Sequence, residues 1–194
     1  MKTLTFILAY TLCGLAFAQS PEQTKVQRMF EAVKQNNASE VKDSSLHWNA
    51  NVRDDHNNTP LMFAAMNGNH EIVKYLLASG ADPNALSEDG TTPLGAAALG
   101  GDEETVELLI KAGARPNDID KRGYSPLMFA AMKGNHSIIG ALIKAGADVN
   151  HQARDGRSAL MTAATSGNDI PPGKIPFRID APFPSAKHAG KPNG

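Results

Sequence analysis

Cysteine, aromatic side chains and net charge are all scarce in this chain. Cys13 is the single cysteine, which excludes an intramolecular disulfide and a zinc site held by several thiolates. The 194 residues carry 19 basic and 20 acidic side chains, a formal net charge of −1. This balance disfavours a nucleic-acid-binding surface, because such surfaces need clustered lysine and arginine. Low net charge together with 41% hydrophobic residues also disfavours a disordered chain and favours one globular domain of about 150 residues.

Residues 1–18 have the pattern of a secretory signal peptide. Lys2 gives a positive start, residues 3–15 are an apolar run, and Ala16 and Ala18 are small residues at the positions that signal cleavage requires. The run is too short to cross about 30 Å of hydrocarbon. We therefore expect cleavage after Ala18, a periplasmic location and a mature protein without a membrane anchor. A bulky residue precedes Cys13, which makes a lipoprotein signal the weaker alternative.

A block of eleven residues recurs with a period of 33. The copies read TPLMFAAMNGN, TPLGAAALGGD, SPLMFAAMKGN and SALMTAATSGN, and they begin at Thr59, Thr92, Ser125 and Ser158. Later in each unit GADPN, GARPN and GADVN stay in the same register. This pattern resembles the ankyrin repeat. The resemblance covers about residues 26–168 and implies an all-α solenoid of stacked helix pairs, joined by β-hairpin-like turns called fingers.

The resemblance also implies a division of the chain. An ankyrin repeat domain at 19–168 contains units at about 26–58, 59–91, 92–124 and 125–157, followed by a partial unit at 158–168. The first unit is a divergent N-terminal cap. Residues 169–194 form a proline-rich tail, for which two states remain open: an irregular segment that covers the last repeat, as exposed terminal repeats need capping, or a disordered tail.

Residue types within each unit predict two helices and a turn. The hydroxyl that opens each copy is placed to cap a helix, and a proline follows at the first helical position in three copies. Gly68 and its equivalents end that helix. The second helix carries apolar residues at i, i+1, i+4 and i+5, a spacing that predicts one broad buried face. In the unit at 59–91 these residues are Ile72, Val73, Leu76 and Leu77.

No catalytic constellation is evident in the sequence. His70 and Glu71 begin like a zinc-protease helix, but Lys74 occupies the position of the second histidine. The acidic run 102–104 is explained by a helix N-terminus, where carboxylates are favourable. The sequence therefore predicts a protein that is not an enzyme.

The methionines allow two interpretations. Five of them recur in the first helices of the units, at Met62, Met66, Met128, Met132 and Met161. A copper-binding stripe would be interrupted at Gly95, so we expect these side chains to fill the core. We predict no metal and no cofactor.

The resemblance implies a protein-binding surface made by the fingers and the exposed face of the first helices. The predicted set is Arg53, Asp55, His56, Asn58, Met66, Leu86, Glu88, Asp89, Leu99, Ile119, Lys121, Arg122, Tyr124, Met132, Lys133, Arg154 and Arg157. Opposite charges are segregated along this surface. Acidic residues lie at 88–89, with 102–104 nearby, and basic residues lie in the later units. Four large apolar residues of this set, Leu86, Leu99, Ile119 and Tyr124, are expected to have no role within the repeats, and Tyr124 is the expected anchor residue.

An export signal on such repeats resembles the small periplasmic ankyrins of bacteria. One role that this implies is self-protection, in which the protein binds and blocks an enzyme of its own cell, such as a peptidoglycan endopeptidase. A second is support of a periplasmic enzyme such as catalase, and a third is a scaffold without inhibitory action. The self-protection type is the closest resemblance. We expect a monomer that binds a protein partner, and neither nucleic acid nor, in the mature form, a membrane.

Overall fold

The computed structural model describes residues 21–43 and 49–167. The expected signal peptide and the tail at 169–194 lie outside the described residues. The described part contains helices and turns but no strand. Its helices are α1 (Pro21–Lys34), α2 (Ala38–Val41), α3 (Pro60–Met66), α4 (His70–Ala78), α5 (Pro93–Gly100), α6 (Glu103–Lys111), α7 (Pro126–Lys133), α8 (His136–Lys144) and α9 (Ala159–Thr165).

The helices form two stacked layers. The first helices of successive units, α1, α3, α5, α7 and α9, each contact the next, and so do the second helices, α2, α4, α6 and α8. Each first helix also packs on its own second helix where both are described. The all-α solenoid expected from the repeats is therefore confirmed. No helix of the described residues has both the length and the hydrophobicity needed to span a bilayer.

The predicted helix caps are confirmed. The hydroxyl oxygens of Thr59, Thr92, Ser125 and Ser158 each accept a hydrogen bond from the backbone N–H three residues later. The thioether sulfur of Met62 also accepts from the Thr59 N–H, at 3.4 Å. The caps of the second helices were not predicted from the sequence. They are Asn37, Asn69, Asp102 and Asn135, and the side-chain oxygen of each accepts a hydrogen bond from the backbone N–H three residues later.

The predicted burial of the second helices needs one correction. Ile72, Val73 and Leu76 are fully buried, as are their equivalents in α6 and α8, but the residue at i+5 is only partly buried in each helix. Each residue turns the helix by about 100°, so the i+5 side chain lies about 90° from the centre of the buried face. The affected residues are Leu77, Ile110 and Ile143.

Close packing of the first helices depends on glycine at one position. A Cβ atom on Gly100 would lie 2.3 Å from the Met66 carbonyl oxygen, which is too close for any side chain. The C-terminal end of α5 therefore lies against the C-terminal end of α3, and the side chain of Met66 is left at the edge of the stack.

Asparagines with the 33-residue period join each unit to the next. The Nδ2 group of Asn84 donates to the Gly113 carbonyl at 3.1 Å, and its Oδ1 accepts from the Arg115 N–H at 2.8 Å. Asn51 and Asn117 make the equivalent pairs of bonds to the units that follow them. Within the described residues, the side chain of Asn150 makes no such bond. These bonds connect repeats that lack the histidine found after Thr-Pro-Leu in many ankyrin units.

Asn84→Ala should lower the unfolding free energy by about 1–2 kcal/mol, because it removes two hydrogen bonds from one junction between repeats. Urea denaturation followed by circular dichroism measures this change. Asn150→Ala is the matched control, since the same residue type at the same repeat position has no following unit in the described chain. Equal destabilisation by the two substitutions would contradict the role assigned to these asparagines.

Candidate protein-binding surface

Four finger turns lie side by side along one edge of the stack. They comprise residues 54–58, 87–91, 120–124 and 153–157, and each turn is closed by a backbone hydrogen bond between its first and last residue, 2.9–3.1 Å long. Neighbouring fingers are also bonded to each other. The Glu88 N–H donates to the His56 carbonyl at 2.7 Å, and the Lys121 N–H donates to the Asp89 carbonyl at 2.7 Å. The fingers therefore form one continuous, backbone-bonded surface.

Glycine is required where the third and fourth fingers meet. Gly123 has a φ of +86°, and a Cβ atom there would lie 2.9 Å from the Arg154 backbone nitrogen. In the first finger Asn57 takes the corresponding left-handed conformation at φ +59°, as expected from the sequence. The left-handed residue lets each finger reverse the chain without moving away from its neighbour.

Carboxylates inside the turns fix the shape of the fingers. Oδ1 of Asp54 accepts from the backbone N–H groups of His56 and Asn58, at 2.9 and 2.8 Å. Oδ1 of Asp89 accepts from the Ser87 hydroxyl and from the Thr91 N–H. Burial alone would raise the pKa of Asp54, but the hydrogen bonds from Asn58 and His56 hold it below its ordinary value. The pKa of Asp89 is also lowered, chiefly by the Ser87 hydroxyl.

These shifts predict an acid-sensitive contribution to stability. Folding holds both pKa values below the ordinary 3.8, so each carboxylate stabilises the native state at neutral pH. That stabilisation is lost as the pH falls below 3.8 through the folded pKa. Urea denaturation at pH 6 and pH 3 should therefore show a smaller loss of stability for the double variant Asp54→Asn, Asp89→Asn than for the unmodified protein. An equal loss in both proteins would show that these turns do not contribute.

Large apolar side chains are exposed on this edge, as the sequence analysis expected. Leu86 and Ile119 are each 46% exposed beside the second and third fingers, and Met66 on α3 is 45% exposed. Water-exposed apolar side chains of this size, close together and rimmed by charges, are typical of protein-binding surfaces. Met66 and Met161 are thus exceptions to the expected burial of the methionines, whereas Met62 and Met128 are in the core.

Two residues of the predicted set have roles inside the stack, which corrects the sequence analysis. Tyr124 is partly buried, and its ring stacks on Phe129 with centroids 5.9 Å apart. Leu99 is also partly buried against the hydrophobic core. Both side chains use part of their apolar surface within the repeats, so Tyr124 is not the freely presented anchor that its sequence position suggested.

The arginines of the predicted set are also partly engaged within the fingers. The guanidinium of Arg53 donates to the Leu86 carbonyl at 2.7 Å, which ties the first finger to the second. Arg122 and Arg157 form ion pairs with aspartates of their own fingers, at 3.1 and 3.3 Å. His56 and Glu88, both exposed, contact each other at 3.3 Å. Asp55, Asp89, Lys121, Lys133 and Arg154 are also exposed, and Met132 is partly buried.

The acidic residues at 102–104 lie away from the fingers, contrary to the expectation that they extend the acidic patch. Asp102 caps α6 and follows the C-terminal end of α5, whereas the finger lies before the N-terminal end of α5. The carboxylate of Glu104 pairs with Lys74 at 2.7 Å and with His70 at 3.7 Å, on the second-helix layer. The acidic residues of the predicted set are therefore Asp55, Glu88 and Asp89, which all lie on the first two fingers.

A depression lies between the first three fingers. It has a volume of about 390 Å³ and is lined by His56, Asn58, Glu88, Asp89 and Lys121, all members of the predicted set. A smaller apolar hollow of about 120 Å³ adjoins it between α3 and α5. This hollow was not predicted from the sequence. A comparison of the eleven-residue copies could have located it, because Gly95 and Ala96 replace the Met-Phe pair that two other copies carry.

The described residues show no arrangement for metal chemistry. Within that part of the chain, no three His, Cys, Asp or Glu side chains come together in a group able to hold a metal ion. His70 instead forms the ion pair with Glu104 described above. The surface offers shape, charge and apolar contact, which are the means of protein recognition.

A family model described as "Ankyrin repeats (3 copies)" matches residues 29–120 and 101–170 of the chain. No curated protein matches this chain.

Proposed function

The chain belongs to the ankyrin-repeat family, and we propose that it is exported to the periplasm of a bacterium, where it binds and blocks a hydrolase secreted by the same cell. Ankyrin repeats are protein–protein interaction modules and typically serve as scaffolds for binding rather than for catalysis. The observation that carries the proposal is the finger surface, on which exposed Leu86 and Ile119 stand among charged side chains. The signal-like pattern of residues 1–18 supports export.

Inhibition on such a surface works by occlusion. A repeat protein that covers the rim of an active-site cleft excludes a large polymer such as peptidoglycan without contacting any catalytic group. The backbone-bonded fingers support this, because a surface that is already ordered loses little conformational entropy on binding. Carboxylates on the first two fingers and basic side chains on the last two would orient the partner and make association sensitive to salt.

The proposal is tested with the mature protein, beginning at Gln19, as bait in the periplasmic fraction of the producing cell. The captured protein is identified by mass spectrometry, purified and mixed with the bait in an assay of its own activity. We expect a hydrolase whose activity falls to background at a stoichiometric ratio. A partner whose activity is unchanged or raised would favour a scaffold or a helper and would contradict the inhibitor proposal.

A further inference from the structure

Phenylalanine recurs at one position of the repeat, and one unit between two of these phenylalanines lacks it. Phe30, Phe63 and Phe129 are separated by multiples of 33 residues, and Ala96 stands at the missing position. The Phe63 ring packs edge-on against Phe30 of the preceding unit, with centroids 5.7 Å apart. The Phe129 ring lies 3.6 Å from the point where a Cβ atom of Gly95 would be, again in the preceding unit. Phe63 and Phe129 therefore each fill the space between their own unit and the one before it.

Ala96 leaves that space empty between α3 and α5. The hollow of about 120 Å³ lies there, with Met62, Phe63, Met66 and Ala96 among its lining residues. The floor is formed by buried Met62 and Ala96, while Met66 is 45% exposed at the mouth. The gap in the phenylalanine series is thus an open apolar site on the first-helix face.

The rim of the hollow is polar and acidic. It consists of Asn58, Asp89 and Thr91, and the first two of these residues also line the larger depression between the fingers. The carboxylate of Asp89 is held in its own turn through Oδ1, which accepts from the Ser87 hydroxyl and the Thr91 N–H, and the residue is exposed. The neighbouring Glu88 adds a second carboxylate, which is 62% exposed and whose Oε2 lies 3.3 Å from Nδ1 of His56. Asp89 lines both the hollow and the depression, whereas Glu88 lines the depression together with His56 and Lys121, so a ligand that spans the two cavities lies beside both carboxylates.

We infer that the hollow receives an aromatic side chain of the protein partner, and that a lysine or arginine next to that aromatic residue pairs with Asp89 and Glu88. Neighbouring repeats place a phenylalanine ring in the equivalent space, which defines the shape and chemistry of the occupant. The charge of the rim defines its neighbour, because a cation is attracted to the two carboxylates and an anion is repelled. The inference depends on the protein-binding function proposed above and adds the recognition element that a partner must carry.

The test uses short peptides as probes and requires no hydrolase. Methionine methyl groups of the protein are labelled with ¹³C, and the probe acetyl-Gly-Phe-Lys-Gly-amide is titrated in. The Met62 and Met66 methyl signals should shift with saturation, and affinity should fall at least about five-fold when Ala replaces Phe or Glu replaces Lys in the probe. Equal affinity for the three probes, or shifts confined to Met128 and Met132, would overturn the inference.

Two test variants of the protein and one control variant complete the test. Ala96→Phe restores the phenylalanine series and fills the hollow, so it should abolish probe binding while the melting temperature stays the same or rises. Ala96→Ser is the matched control that keeps the hollow open. Met66→Lys places a cation at the mouth from an exposed position that is not part of the core, and it should also abolish binding. A folded Ala96→Phe or Met66→Lys protein that binds the probe as before contradicts the inference, whatever the hydrolase experiment shows.

Discussion

Leu109→Asp should unfold the repeat stack. Leu109 on α6 is fully buried between the second helices, so the substitution removes its apolar contacts and places an ionised carboxylate in the core without a partner. The expected loss is at least about 4 kcal/mol, comparable with the whole stability of many small domains. Each repeat is stabilised mainly by its neighbours, so the loss at α6 is transmitted to the units on both sides. Thermal melting followed by circular dichroism should show no cooperative transition near the wild-type temperature.

Leu108→Asp is the matched control for this prediction. It makes the same substitution one residue earlier on the same helix, where the side chain is only partly buried and the new carboxylate can reach water. We expect a folded protein with a smaller decrease in melting temperature. A Leu109→Asp protein that melts cooperatively near the wild-type temperature would show that the second-helix face is not the core of the stack.

The second large effect concerns the finger surface. The double variant Leu86→Asp, Ile119→Asp should weaken binding of the captured hydrolase by about 100-fold or more, because two exposed apolar contacts would become charges buried in the interface. The hydrolase should then cut its substrate in the presence of the variant. Both side chains are half exposed in the free protein, so the repeat stack should keep its circular dichroism spectrum and melting temperature. Binding is measured by isothermal titration calorimetry and inhibition by hydrolase assay.

The control places the same number of new carboxylates on the second-helix layer. Ala112→Asp with Ser137→Asp alters exposed residues near the ends of α6 and α8, far from the fingers. This protein should inhibit like the wild type. If the finger variant inhibits as well as the control, the finger surface is not where the hydrolase binds.

Tyr124 and Arg122 are unsuitable for this experiment, although the sequence makes them attractive. Removing the Tyr124 ring would uncover Phe129, and removing the Arg122 guanidinium would leave buried Asp120 without its ion pair. A loss of binding by such variants would combine a change in the fingers with a change at the interface.

The fold could be predicted from the sequence because its determinants are local and repeated. Thr59 and its equivalents cap a helix through a bond that spans three residues, and Asn57 and Gly90 reverse the chain through their own backbone preferences. A period of 33 then repeats each of these features. The exposure of Leu86 and Ile119 could also be predicted, because the 33-residue register places neither residue on a helix face.

The features that escaped prediction depend on contacts between units. The partial burial of Tyr124 requires knowing that Phe129 lies beside it, and the bonds of Asn84 require knowing that Gly113 and Arg115 of the next unit are within reach. The hollow beside Ala96 arises from a small side chain where other units have a ring. In the aligned copies each of these features corresponds to a residue that recurs or to one that departs from the pattern. The distances between the side chains, however, depend on how the units stack.

Digestion of peptidoglycan is the most direct test of the proposal that this protein blocks a hydrolase of its own cell by covering it. The captured hydrolase is incubated with purified cell-wall material while the mature ankyrin protein is added from zero to a two-fold molar excess, and release of soluble muropeptides is followed. We expect that release falls linearly and stops at a one-to-one ratio, and that the finger variant leaves the release unchanged. Undiminished release at a two-fold excess of the folded wild-type protein would contradict the claim.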